Sequence, residues 1–140
     1  MQTEEIASAL ARVPLFQGIS ADSMTRLAAV TGELDFDEGQ FVVLQGQVGT
    51  GLYVIVEGEV KVEHGSVELA RLGPNDFFGE LSVIDQQPRN ANVQATAPTT
   101  VLAVASWDFL DLIEKDPHFS LNLIKGLVSR VRSAGEQHRH

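Results

Sequence analysis

A succession of short apolar segments separated by turn residues most constrains how this chain can fold. Between residues 34 and 105 these segments alternate apolar with polar positions or are almost wholly apolar, and β-branched and aromatic residues are common in them. Such patterns predict strands, and the glycines, prolines and asparagines between them predict tight turns, one of them at residues 49–51. The predicted strands cover residues 34–36, 41–44, 52–56, 60–63, 67–72, 92–97 and 100–105. Many short strands joined by glycine turns predict a sandwich or barrel rather than a parallel sheet.

Helices are predicted on both sides of the strands, because apolar residues recur there at helical spacing. The predicted helices cover residues 3–12, 21–31, 106–115 and 119–134. Ser20 and Ser106 are suitable N-caps for the second and third helices, and the pair Asp116-Pro117 breaks the third helix and starts the fourth. Gly135 is predicted to end the fourth helix. The expected fold is therefore mainly β with flanking helices, in a single domain covering residues 1–140.

The composition excludes several functional classes. The chain has no cysteine, so disulfide bonds and thiolate chemistry are excluded. It has 10 basic and 19 acidic residues and a net charge of −9, whereas a protein that grips nucleic acid needs a basic face, so no nucleic-acid partner is expected. The four histidines lack metal-ligand spacing, and the chain has no nucleophile elbow, Walker loop or HExxH motif. We therefore expect no enzyme, no bound metal and no cofactor.

The sequence also bears on location. No apolar run approaches the ~20 residues that a membrane span requires. The first five residues carry two glutamates and no basic residue, and they lack the basic and apolar regions of a secretion signal. We therefore expect a cytoplasmic protein without a membrane span.

One stretch combines the groups that a small phosphorylated ligand requires. Gly79 has no side chain, so the main chain can approach a ligand there without a clash. The apolar residues after it can form one helical turn, whose first N–H groups attract an anion. Glu80 can accept hydrogen bonds from a sugar hydroxyl, and Arg89 can bind two phosphate oxygens at once with its planar guanidinium. The stretch therefore predicts a site for a phosphorylated ligand.

The same stretch resembles the phosphate-binding cassette of the cyclic nucleotide-binding domain family, which includes catabolite activator proteins, regulatory subunits of the cyclic AMP-dependent kinase and cyclic nucleotide-gated channels. The resemblance rests on two motifs, Phe78-Gly79-Glu80-Leu81-Ser82 and Pro88-Arg89-Asn90-Ala91. It extends over about residues 10–134. It implies N-terminal helices in residues 1–33, a β-roll (a jelly-roll-like double-stranded β-helix) in residues 34–105 with the cassette at residues 78–93, and two hinge and lid helices in residues 106–135.

The resemblance also implies roles for the matched residues. Glu80 would bind the ribose 2′-hydroxyl, and Arg89 the cyclic phosphate. Backbone groups would complete the cradle around Gly79, Leu81, Ser82 and Asn90. Family members that select cyclic GMP often carry Thr after the Arg, so Asn90 favours cyclic AMP, with cyclic GMP as the other candidate. Asn90 and Asn92 depart from the family, which usually has Ala, Ser or Thr at the first position and often Thr at the second.

The implied function is a sensor module in which ligand capture moves the C-terminal helices. The alternative is a degenerate member that serves as an interaction or dimerisation domain without binding nucleotide. In either case the apolar stripe over residues 119–131 packs on the barrel or contacts a second copy or a partner protein, through Leu123, Leu127 and Val131. Leu127, Arg130 and Val131 are also the candidates for the residue that caps the base.

Several of these residues have a purely structural alternative. Glu80 and Arg89 could form an ion pair on the barrel rim, and Gly79 could serve only as a bend. Core packing is the more ordinary role for three aromatic residues, Tyr53, Phe77 and Phe78. Exposed surface positions are expected for the four histidines, including His64.

Overall fold

The computed structural model describes residues 1–47, 51–85 and 88–137, and the side chains of residues 81, 82, 130 and 134–137 lie outside this description. The helices are α1 (Thr3–Ala11), α2 (Ala21–Val30), α3 (Glu80–Asp85), α4 (Ser106–Lys115) and α5 (Pro117–Gln137), with a 3-10 turn at Pro14–Phe16. The strands are β1 (Gly32–Phe36), β2 (Phe41–Val43), β3 (Gly51–Glu57), β4 (Val60–His64), β5 (Val67–Leu72), β6 (Phe77–Phe78), β7 (Asn92–Ala95) and β8 (Thr99–Ala105).

The strands form two antiparallel sheets of four strands each. The first sheet has the order β1-β8-β3-β6 and the second has the order β2-β7-β4-β5. The predicted mainly β fold with flanking helices and the predicted strand segments are confirmed. Strand β6 was not predicted, because a strand of two residues offers no alternation from which to recognise it. It forms because it pairs with the middle of β3, where Phe78 lies opposite Tyr53.

The first sheet is covered on both faces. One face packs against the second sheet through six buried residues contributed by both sheets: Val43, Ile55, Val60, Phe78, Val93 and Val101. The other face carries Leu52, Val54, Leu102 and Val104, which join the buried residues of the helices in a second core. Since side chains alternate along a strand, β3 and β8 supply both cores at once, and this explains their nearly continuous apolar sequence.

The helix ends agree with the sequence in part. Ser20 caps α2 as predicted, because its Oγ accepts a hydrogen bond from the Ser23 N–H at 3.0 Å. The prediction for Ser106 is wrong, since Ala105 occupies the N-cap position and Ser106 is the first helical residue. The predicted end at Gly135 is also wrong, since α5 continues through it to Gln137. In the described part of the chain, no helix combines the length and hydropathy needed to cross a bilayer.

Asp116, in the break between α4 and α5, fixes the start of α5. Its buried carboxylate accepts hydrogen bonds from the N–H groups of His118 and Phe119 at 3.1 and 3.2 Å, and from the Ser20 N–H at 3.1 Å. Burial raises the pKa of Asp116, but these bonds and one with the Ser23 side chain outweigh it, so the pKa lies below its ordinary value. The carboxylate thus caps α5 and ties it to the start of α2.

The apolar stripe of α5 divides between the core and the surface. Phe119 and Leu123 are buried, and the Phe119 ring stacks on Phe16 with 5.5 Å between ring centroids. Leu127 is partly buried against the same core. Val131 is 72% exposed. Leu123 therefore belongs to the domain's own core and not to a contact with a partner, whereas Val131 remains available for one.

Candidate functional site

A cavity of about 490 Å³ lies between the second sheet and the cassette. Its size falls within the range of small-molecule sites in proteins. The sheet contributes Val43, Val62, Ala70, Leu72 and Val93, and the cassette side contributes Phe77, Phe78, Gly79, Glu80, Asp85, Pro88, Arg89, Asn90 and Ala91. Four of the six predicted site residues therefore line one cavity. The other two, Leu81 and Ser82, follow in α3, and their side chains lie outside the described part of the chain.

Hydrogen bonds of both backbone groups fix the position of Arg89. Its N–H donates to the Gln47 carbonyl at 2.7 Å, and its carbonyl accepts from the Gly46 N–H at 2.8 Å. The guanidinium is held in turn by carbonyls, since Nη2 donates to Gly51 O at 3.1 Å and Nη1 to Gly79 O at 3.5 Å. It also lies over the Tyr53 ring, with 5.8 Å from Cζ to the ring centroid. These contacts hold the cation at the cavity wall in one orientation.

The surroundings of Arg89 favour an anionic ligand. Only 9% of the residue is exposed, and this burial lowers its pKa, while Tyr53 and Glu80 act in the opposite direction. A guanidinium keeps its proton in proteins, so the effect of burial is a cation with reduced hydration. The two carbonyl contacts use two of its five N–H donors. A phosphate at the cavity side would replace the lost water with charge-assisted hydrogen bonds.

Gly79 provides the space that Arg89 occupies. Its φ of +96° lies in the left-handed region, which residues other than glycine rarely adopt. A Cβ added at this position would lie 2.9 Å from Arg89 Nη1 and 2.9 Å from Gly51 O. Gly79 is therefore more than a bend. The close approach that it permits is to the arginine and to β3.

Glu80 is the first residue of α3 and is only 3% exposed. It lines the 490 Å³ cavity described above, called the Arg89 cavity from here on. It also lines a second, largely apolar cleft of about 390 Å³ between the Pro14–Phe16 turn and α5. The α5 wall of this cleft consists of Asn122, Leu123, Lys125, Gly126 and Leu127. Glu80 thus lies between the cavity and the last helix.

Two asparagines of the cassette contact neighbouring segments, Asn92 through its side chain and Asn90 through its backbone. The Asn92 side-chain oxygen accepts a hydrogen bond from the Gln45 N–H at 2.6 Å. Asn90 is exposed, and its carbonyl oxygen lies 2.7 Å from Nδ1 of His64 at the end of β4. Both asparagines therefore join the cassette to neighbouring segments.

Sequence reasoning missed the residues that orient Arg89. Gly51, Gln47 and Gly46 act through backbone groups, which leave no pattern in the side chains. Tyr53 packs in the core as predicted, stacked on Phe78 with 5.3 Å between centroids, but its ring also faces Arg89. Of these residues, only Tyr53 could have been identified from the sequence. The alternation of side chains along β3 places it on the face opposite Leu52 and Val54.

Other predictions have mixed outcomes. Of the candidates for capping the base, Leu127 lines the α5 cleft and Val131 is exposed, while the Arg130 side chain is outside the description. The predicted turn at residues 49–51 falls mostly outside the described residues, and Gly51 itself opens β3.

The family model for the cyclic nucleotide-binding domain matches residues 33–116. This range contains both sheets except the first residue of β1, together with the cassette and α4. The chain therefore belongs to the cyclic nucleotide-binding domain family.

Individual relatives agree with this assignment. The chain is 34% identical over 135 residues to the "CRP-like cAMP-activated global transcriptional regulator" of Mycobacterium tuberculosis, covering 88% of this chain and 57% of that protein. It is similar to the catabolite activator protein of Thermus thermophilus, with a TM-score of 0.79 and 31% identity over 89% of this chain and 61% of that one. The regulatory domain of Toxoplasma gondii PKA, solved with cAMP, gives a TM-score of 0.80 and 25% identity over 89% of this chain and 49% of that one. The chain thus spans less than two thirds of each of these proteins.

Proposed function

We propose that this domain is a sensor that binds cyclic AMP in the Arg89 cavity. The observation that carries the proposal is the pairing of a buried, carbonyl-oriented guanidinium with a buried carboxylate on one cavity wall. A cyclic nucleotide presents one anionic phosphate and one ribose hydroxyl close together. Arg89 would bind the phosphate oxygens, and Glu80 would accept the hydrogen bond of the 2′-hydroxyl.

The remaining predicted residues would complete the cradle through their backbones. Gly79 directly precedes α3, and Leu81 and Ser82 lie in its first turn, where the N–H groups make no hydrogen bond within the helix. Asn90 follows Arg89 at the cavity wall. The adenine would extend toward the apolar side chains of the second sheet, such as Val62 and Leu72.

Cyclic AMP is preferred over cyclic GMP on two grounds. Asn90 replaces the Thr that cyclic GMP-selective members often carry after the arginine. In addition, the similar regulator of Mycobacterium tuberculosis is cAMP-activated, and the similar Toxoplasma gondii domain was solved with cAMP. Both grounds concern similar proteins, so titration with the two nucleotides decides the ligand.

The proposed signal passes through Glu80 to α5. Glu80 lines both the nucleotide cavity and the cleft against α5, so a ligand that holds Glu80 acts on both. Coupling requires that the ligand bind one arrangement of α5 more tightly than the other. Asp116 is the natural pivot, because it ends α4 and caps α5.

We further propose that α5 contacts a second copy of the chain. Its exposed apolar residues recur at spacings of three, four and three, which is the pattern of a coiled-coil seam: Leu121, Ile124, Val128 and Val131. Replacing Val128 with Glu should then convert a dimer into a monomer by analytical ultracentrifugation. A wild-type chain that sediments as a monomer at high concentration would remove this contact from the proposal.

The deciding experiment is isothermal titration calorimetry with cyclic AMP and cyclic GMP, on protein shown to be free of bound nucleotide. We expect saturable one-site binding that is tighter for cyclic AMP. Arg89→Ala should weaken it at least about 30-fold, since losing one partner of a buried charged pair costs about 2–5 kcal/mol. Arg71→Ala is the matched control, because Arg71 is exposed and paired with Glu59 and Glu68.

The control should bind like the wild type. If the folded wild-type chain binds neither nucleotide, the sensor proposal fails and the degenerate interaction domain replaces it. If Arg89→Ala binds as tightly as the wild type, the nucleotide lies elsewhere.

A further inference from the structure

The short segment 45–47, which follows β2, holds the backbone of Arg89. The Gly46 N–H donates to the Arg89 carbonyl at 2.8 Å, and the Arg89 N–H donates to the Gln47 carbonyl at 2.7 Å. Four residues beyond Gln47 the chain reaches Gly51, whose carbonyl accepts a hydrogen bond from Nη2 of Arg89 at 3.1 Å. The placement of Arg89 at the cavity wall therefore depends on where this part of the chain lies.

The side chain of Asn92 anchors this segment. Its oxygen accepts a hydrogen bond from the Gln45 N–H at 2.6 Å. An N–H only donates, so the oxygen of the Asn92 amide is the atom that faces Gln45. The pairing of β2 with β7 ends at Val43 and Val93, so Gln45 lies beyond it. The Asn92 side chain thus supplies the acceptor at a point where strand pairing no longer does.

This anchor lies next to the peptide group that binds Arg89. Peptide groups are planar, so only the two backbone dihedrals of Gln45 separate the N–H that Asn92 binds from the Gly46 N–H. The Gln45 side chain also accepts a hydrogen bond from the Gly65 N–H at 3.2 Å, but this contact reaches the backbone only through a flexible side chain. Releasing the Gln45 N–H therefore loosens the peptide group that donates to the Arg89 carbonyl.

We infer that Asn92 is a positioning residue for Arg89: through segment 45–47 it fixes the arginine in the orientation in which the guanidinium meets the ligand phosphate. This inference rests on the proposed function, and it adds to the site a residue that acts on the ligand only through Arg89. The sequence marked Asn92 only as a departure from the family pattern. The signal lay in the fold, because Asn92 and Gln45 are 47 residues apart and the pairing of β2 with β7 brings them together.

Gln94 offers a matched control on the same strand. Side chains two residues apart point to the same face of a strand, so Asn92 and Gln94 are neighbours on β7. Gln94 also binds a turn through its amide, since Nε2 donates to the Gly39 carbonyl at 2.8 Å. That turn precedes β2, whereas segment 45–47 follows it. Replacing Gln94 therefore removes a similar hydrogen bond at the opposite end of β2 from the segment that holds Arg89.

The first measurement is backbone amide hydrogen exchange in the free, ¹⁵N-labelled protein. In Asn92→Ala the Gly46 and Arg89 amides should exchange at least about threefold faster than in the wild type, as for the loss of one hydrogen bond. In Gln94→Ala both amides should exchange as in the wild type. Asn92→Asp keeps an acceptor oxygen at the same place, so it should restore the slow exchange. Thermal melts establish that each variant is folded.

The second measurement is calorimetry with cyclic AMP. Asn92→Ala should weaken binding about 3- to 10-fold, because the guanidinium is then less well oriented for the phosphate. Gln94→Ala should stay within about twofold of the wild type, as for a surface change away from the site.

The outcomes distinguish the two proposals. The role of Asn92 requires both faster exchange and weaker binding in Asn92→Ala, and the absence of either one overturns it while the proposed function stands. Equal effects in Asn92→Ala and Gln94→Ala also overturn it, because general loosening of β7 would then be the cause. A wild type that does not bind cyclic AMP overturns the proposed function, and with it any role of Asn92 toward the ligand, whatever the exchange rates in the free protein.

Discussion

Replacing Gly79 with Ala tests whether the glycine makes room for Arg89. The added Cβ would meet Arg89 Nη1 and Gly51 O at 2.9 Å each, and Tyr53 Cδ2 at 3.5 Å. The carbonyl belongs to the backbone of β3 and cannot move without disturbing the sheet. The guanidinium can move, so the clash is expected to push Arg89 away from its two carbonyl partners.

The loss of folding stability has two contributions, and the loss of ligand affinity has one. Holding Ala at a φ of +96° costs about 1–3 kcal/mol of folding free energy. The overpacking against Arg89 and Gly51 adds about 1–3 kcal/mol. Displacing the guanidinium removes a charge-assisted hydrogen bond to the ligand of about 1.5–3 kcal/mol, which corresponds to roughly 10- to 150-fold in affinity.

Gly39→Ala is the matched control. Gly39 has a φ of +92°, but a Cβ there would have nothing within 4 Å, so this variant carries the backbone strain without the clash. Urea unfolding should therefore show Gly79→Ala to be less stable than Gly39→Ala by about 1–3 kcal/mol. Calorimetry should show weakened cyclic AMP binding only for Gly79→Ala. Equal stability of the two variants, together with wild-type affinity in Gly79→Ala, would refute the reasoning.

Three further predictions concern stability. The pKa of Asp116 is lowered in the folded state, so the stability that its carboxylate contributes is fully present above the unfolded-state pKa of about 3.9. That stability is lost as the pH falls through the folded-state pKa. The urea midpoint should therefore drop more steeply below about pH 4 in the wild type than in Asp116→Asn. Leu123→Ala should cost about 2–5 kcal/mol in urea unfolding, because the side chain is buried, whereas Val131→Ala should stay within about 0.5 kcal/mol at concentrations where the chain is monomeric. Gly58→Ala should not fold stably, because the added Cβ would lie 2.5 Å from the Pro98 carbonyl oxygen at a φ of +97°. Circular dichroism measures this, and a thermal melt like that of Gly39→Ala would contradict the prediction.

Much of the fold follows from local patterns. Alternating segments and glycine turns predicted the strands, and Asp116-Pro117 predicted the break before α5. Local patterns do not predict the order of the strands in the sheets, since pairs such as β1 with β8 join segments that are far apart in the sequence. They also mislead at helix ends, where Ser106 is a good cap by type but the extended backbone of Ala105 takes that position.

The candidate site follows from the sequence to a smaller degree. Glu80 and Arg89 were identifiable because their types and spacing match a known cassette, and the fold brings both to one cavity. The groups that orient Arg89 are backbone carbonyls, and backbone groups are the same in every sequence. His64 reaches Asn90 through sheet register, which composition and spacing do not encode.

The strand order has a consequence for how the chain reaches this structure. The last two strands of the chain lie inside the sheets, β7 between β2 and β4, and β8 between β1 and β3. A nascent chain that ends before Asn92 thus lacks one of the two inner strands of each sheet, and it presents unpaired edges on both sheets. Pairs such as Gly32 with Ala103 join distant parts of the sequence, so folding should be slow and should start only when most of the domain has been synthesised.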